Sequence, residues 1–150
     1  MQPRRVVTGE SNGRSCVTHD GPTPMTVQRI PETAVHEIWW TDSTPALDGP
    51  DPLAGASFDV EAPPGGTKFR LVYAGPGIEM PRHRTDTIDY VTVISGEITL
   101  GLDEGDVVLR AGDCLVQRGI MHSWHNRGSE PCVLSVAMVS LRPASAPTCS

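Results

Sequence analysis

The stretch Gly77-Ile78-Glu79-Met80-Pro81-Arg82-His83-Arg84-Thr85-Asp86-Thr87-Ile88-Asp89-Tyr90-Val91-Thr92-Val93-Ile94-Ser95-Gly96 decides the fold. It opens and closes on glycine, and its second half alternates in the manner of a half-buried strand. Side chains two apart share one face of a strand. His83, Thr85, Thr87 and Asp89 therefore fall on one face, and Val91 and Val93 continue it as an apolar interior. A polar cluster that runs into β-branched residues on a buried face needs a partner. A metal ion or a bound ligand supplies one.

A second stretch, Gly112-Asp113 through Gly119 to His122-Ser123-Trp124-His125-Asn126, repeats the pattern. His122, Trp124 and Asn126 share a face, and His125 has the opposite parity. The two stretches together offer two imidazoles and a carboxylate, enough to hold a cation with coordination positions left open. Between and around them lie short β-rich runs separated by glycine and proline turns: 37–41, 68–74, 88–94, 97–102, 107–109, 114–117, 121–124 and 132–141. Even turn spacing of this kind predicts an all-β sandwich or barrel. Turns at 95–97, 102–106 and 110–113 predict three successive hairpins, an antiparallel meander. The runs 4–8 and 15–18 are expected as strands at a sheet edge or across a dimer.

The chain has 150 residues, 38% of them apolar and 20% charged, which suits one soluble domain with its own core. A net charge of -6 argues against a nucleic-acid backbone as partner. No run is apolar enough to span a bilayer, and no apolar stretch follows Arg4-Arg5, so neither a membrane span nor a secretory signal is expected and the location is read as cytoplasmic. Cys16, Cys114, Cys132 and Cys149 form no CxxC pair and are expected as free thiols. Adjacent Trp39 and Trp40 must face opposite ways, which points to a subunit contact and a homodimer.

The row Gly77-x5-His83-x-Thr85-x3-Asp89-x6-Gly96 resembles the first cupin motif, G-x5-H-x-H-x3-4-E-x6-G. The row from Gly112 through Gly119-x2-His122-x3-Asn126 resembles the second, G-x5-P-x-G-x2-H-x3-N. The resemblance implies a single jelly-roll-like antiparallel β-barrel over residues 35–142, with an irregular N-terminal extension over 1–34 and a flexible tail over 143–150. Thr85 stands in place of the second histidine and Asp89 in place of the glutamate. The motif proline is absent, with Gln117 and Arg118 nearby, and the second motif is one residue short. The run around His83 and His122 looks like stand-alone cupins found in polyketide gene clusters.

Carried over position by position, the resemblance implies a divalent metal on His83, Asp89 and His122. Fe(II) suits that ligand type best, with Zn, Mn or Ni as alternatives. Thr85, Asp89 and Tyr90 are the candidate catalytic groups. Trp124, Val91, Val93 and Asn126 are the candidate walls of a substrate pocket. The expected function is a metal-dependent enzyme acting on a small organic substrate, by oxidoreductase or oxygenase chemistry. The alternatives are a non-redox lyase or isomerase (a dehydratase or decarboxylase) and a metal-free small-molecule binder.

Overall fold

A computed structural model describes residues 4–22, 25–30, 33–37 and 60–143. Trp39 and Trp40, Cys149, most of the run 37–41 and the tail beyond 143 lie outside the described residues. The strands are β1 (Arg4–Ser11), β2 (Arg14–Pro22), β3 (Met25–Ile30), β4 (Thr33–Glu37), β5 (Thr67–Ala74) and β6 (Glu79–His83). They continue with β7 (Thr87–Ser95), β8 (Glu97–Leu102), β9 (Gly105–Arg110), β10 (Cys114–Arg118), β11 (His122–His125) and β12 (Cys132–Ser140). Among the described residues no helix is long and apolar enough to cross a membrane.

Ten of these strands make two sheets, one in the order β2-β1-β10-β7-β12-β5 and the other in the order β6-β11-β8-β9. The third sheet is the pair β3-β4. Pairing is antiparallel throughout except between β1 and β10. The architecture is a jelly-roll-like sandwich rather than a closed barrel. Alternation builds its core. Val91 and Val93 of β7, Leu115 of β10, and Leu134, Val136 and Met138 of β12 come from the large sheet. Ile98, Leu100, Leu109 and Trp124 meet them from the small one.

The expected meander is corrected at two of its three turns. Leu102 pairs with Gly105, so β8 and β9 form a true hairpin. The turns at Gly96 and Gly112 instead carry the chain from one sheet to the other, because β7 and β10 belong to the large sheet and β8 and β9 to the small one. A glycine turn looks alike in both cases; which strands pair is decided by long-range packing. The strand β6 was not foreseen, since Pro81 lies inside it. Proline is tolerated there because β6 is an edge strand. The runs 4–8 and 15–18 do pair, with β1 inserted between β2 and β10.

Two motif glycines are tied down in different ways. Gly96 has φ 77, and a Cβ there would collide with the Pro131 carbonyl oxygen and the Cys132 Cα. Gly77 has φ 75 but faces open space. The Gly77 N–H donates to Asn126 and the Asn126 N–H to Ile78, at 2.9 and 3.0 Å, joining the two motifs. Gly77→Ala is expected to cost about 1 kcal/mol, the left-handed penalty alone. Gly96→Ala is expected to cost roughly 3 kcal/mol, since backbone must also shift. Urea denaturation of the two variants checks the difference.

Candidate metal centre

Two cross-strand pairs build the site. On the small sheet, His83 of β6 is the register partner of His122 of β11. On the large sheet, Asp89 of β7 is the register partner of Gln117 of β10. The imidazoles of His83 and His122 lie with ring centroids 4.3 Å apart, tilted by 58°. The Gln117 amide nitrogen is 3.1 Å from His122 Nε2 and 3.4 Å from Asp89 Oδ2, so it bridges the two sheets.

Each imidazole is oriented by its own backbone. His122 Nδ1 lies 2.8 Å from the carbonyl oxygen of Ile120, and His83 Nδ1 lies 2.9 Å from that of Pro81. A carbonyl only accepts, so both Nδ1 atoms carry a proton, and in a neutral ring Nε2 is the nitrogen that keeps the lone pair. This is the orientation a metal-ligating histidine needs. His122 is 2% exposed, and burial above all lowers its pKa to about 4, so it is neutral near pH 7.

Asp89 is buried as the parity argument requires, and burial raises its pKa. The Thr87 hydroxyl donates to Asp89 Oδ1 at 2.6 Å and, with the charges of Arg70 and His83, works against that rise. Thr85 Oγ1 lies 2.8 Å from Thr87 Oγ1, so Thr85 and Thr87 form a buried hydroxyl chain that ends on the carboxylate. Among the described residues no three His, Cys, Asp or Glu side chains gather closely enough to share one ion. Asp89 reaches the imidazole pair through the Gln117 amide instead.

The other candidate residues divide. Val91 and Val93 continue inward from Asp89 as part of the apolar core. Trp124 packs edge-on to His122, with ring centroids 6.0 Å apart. Tyr90 is half-buried on the opposite face of β7 and does not join Asp89. The Asn126 amide is spent on backbone: its Nδ2 donates to Ala74 and Glu130 at 2.9 Å each, and its Oδ1 accepts from Gly128 at 3.0 Å. It shapes the turn after β11. His125 lies 2.9 Å from the Ser123 hydroxyl. The two share the opposite face of β11, beside a shallow groove with Glu79, Met80, Pro81 and Arg82. Arg82 pairs with Asp103 and Arg110 with Glu97.

Gln117 is the site residue that sequence reasoning passed over. It was visible only as a departure from the motif proline. Its signal was parity: two residues after Leu115 on a strand, it had to share the inward face. Both are buried.

Comparison with known proteins agrees with the fold. The family model described as "Cupin domain" matches residues 69–139. Phomopsin biosynthesis cluster protein C' of Diaporthe leptostromiformis is 51% identical over 65 residues, 43% of this chain and 34% of that protein. The cupin-domain-containing oxidoreductase srdD of Neurospora crassa is 44% identical over 62 residues, 41% of this chain and 32% of that protein. The chain thus spans about a third of the length of these curated relatives. The Cupin_2 domain of an XRE family transcriptional regulator from Enterobacter cloacae superposes with a TM-score of 0.45 at 22% identity, over 51% of this chain and 83% of that one. A mutant form of the salicylate 1,2-dioxygenase of Pseudoaminobacter salicylatoxidans superposes with a TM-score of 0.46 at 23% identity, over 49% of this chain and 22% of that one. Motif order, sandwich topology and the matched span agree on one likeness: residues 69–139 of this chain match the cupin domain.

Proposed function

We propose that this chain is a metal-dependent cupin enzyme that acts on a small organic substrate by oxidoreductase chemistry. One observation carries the reading. Two imidazoles from adjacent strands have their Nδ1 protons committed to backbone, so both Nε2 lone pairs are available to a cation. The relatives named as oxidoreductases, and those named for biosynthesis clusters, support the reaction class and the kind of substrate.

The donor types fit a divalent ion. His83 and His122 would hold it, with the Asp89 carboxylate completing the charge balance. Fe(II) is the ion this set suits best. When bound, it would supply a Lewis acid with open positions and, as Fe(II), access to O2. The chain's own residues do the rest. The Ile120 and Pro81 carbonyls hold the rings in one tautomer. Thr87 orients Asp89, and Thr85 extends that chain of hydroxyls. The Trp124 ring closes one side of His122 with an apolar wall.

A second reading rests on Asp89. A buried carboxyl with a raised pKa is suited to hold and release a proton, as a non-redox lyase or isomerase requires.

Metal analysis of protein purified without chelator tests both readings. Near-stoichiometric iron is expected, lost in His83→Ala and in His122→Ala. Zinc or nickel with an O2-independent activity would favour the lyase. Wild-type protein that holds no metal and binds none on titration would leave a metal-free binder.

Asp89→Asn separates stability from function. The amide oxygen keeps the Thr87 contact and the buried charge is gone, while its N–H2 no longer accepts from Gln117; the metal-free variant should melt above wild type and bind metal more weakly. Thermal melts and metal titration read the two effects. Acid acts through His122. Its folded pKa lies below the ordinary 6.5, so the unfolded chain takes up its proton first. Chelated protein is expected to keep this contribution above about pH 6.5 and to lose it as pH falls toward about 4. Asp89, with its pKa raised, works in the opposite direction. Melting temperature against pH, in wild type and in His122→Asn, shows which dominates; the variant's acid limb should be flatter.

A further inference from the structure

Gln117 is 2% exposed, yet its Oε1 is buried without a hydrogen-bond partner. Its orientation is dictated by its neighbours. His122 Nε2 is an acceptor, because Nδ1 holds the ring proton. Asp89 Oδ2 is also an acceptor. Only the amide N–H2 end can face both, so the oxygen is turned to the side where nothing meets it. Buried acceptors of this kind are rare in native proteins and call for an explanation.

The amide nitrogen also occupies a telling position. It stands 3.1 Å from His122 Nε2 and 3.4 Å from Asp89 Oδ2, separations suited to neighbouring donors around one ion. A cation on His122 Nε2 and Asp89 removes both acceptors of the amide at once. A half-turn about the terminal side-chain torsion then brings Oε1 to the cation and moves the N–H2 into the space Oε1 had occupied. The orphaned acceptor gains a partner.

We propose that Gln117 is a metal ligand through Oε1, and that its amide holds His122 and Asp89 in place until the ion arrives. This rests on the metal-dependent reading above and adds to it a fourth donor, a neutral oxygen. The resulting set is two imidazoles, one carboxylate and one amide oxygen, drawn closer by the ion than they stand without it. It explains how the site does without an imidazole at Thr85, whose hydroxyl is engaged with Thr87.

Co(II) titration of the full chain, read by visible absorption and calorimetry, tests it through wild type, Gln117→Leu, Gln117→Glu and His83→Ala. If Gln117 is a ligand, Gln117→Leu weakens Co(II) binding by about tenfold or more and changes the absorption bands. Gln117→Glu keeps or tightens binding, because an anionic oxygen takes the same place. A merely competing amide gives the opposite sign: Gln117→Leu would then bind Co(II) as tightly as wild type or more tightly, with unchanged bands, and the assignment is overturned. That result, with His83→Ala still losing binding, leaves the metal reading intact. Wild type that binds no Co(II) overturns both. Should Gln117→Leu fail to fold, the Gln117→Glu comparison decides: weaker binding with wild-type bands contradicts the proposal.

Discussion

The structure turns on how a buried imidazole is held. His83 and His122 face each other across two paired strands, and each gives its Nδ1 proton to the carbonyl two residues before it. That local bond costs no additional side chain and leaves one ring nitrogen unspent. Gln117, Asp89, Thr87 and Thr85 follow one another in a buried polar chain that begins at the His122 lone pair. From the other sheet come Asp89 and Gln117, themselves a register pair, so the site is two strand pairs meeting across the core.

The surroundings set the terms for that meeting. Val91, Val93, Trp124, Leu134 and Met138 make the interior apolar, and it disfavours charge. Two titrating groups shift toward their neutral forms: His122 downward and Asp89 upward, each because of burial. A neutral imidazole is the form that binds metal. An unpaired buried carboxylate is costly, and a cation is the partner that would relieve it. The same burial that makes the site unfavourable for the bare protein would favour the ion proposed above.

Much of this was legible in the residues. Parity alone placed Thr85, Thr87, Asp89, Val91 and Val93 on one inward face, and all five are buried. The glycine spacing located both motifs. Tyr90, chosen for its phenol, was betrayed by parity. The order of strands in the sheets was not legible, because a turn at Gly96 or Gly112 reads the same whether the next strand pairs or crosses. Pro81 hid β6, since a proline inside a strand is acceptable only at an edge and edges are set by tertiary packing. Asn126 looked like a pocket residue by face, yet its amide is consumed by backbone groups, one of them distant in sequence. Gln117 was overlooked because attention fell on what it replaced and not on where its strand would point it.

Side-chain nitrogen NMR of chelated, 15N-labelled protein tests the central claim most directly, because imidazole shifts report the tautomer of each ring. Near pH 7, the account predicts that the neutral ring of His83 and that of His122 both carry their proton on Nδ1, and that added Zn(II) moves both Nε2 resonances together. A neutral ring with its proton on Nε2 at either position, or an imidazolium at His122, would contradict it.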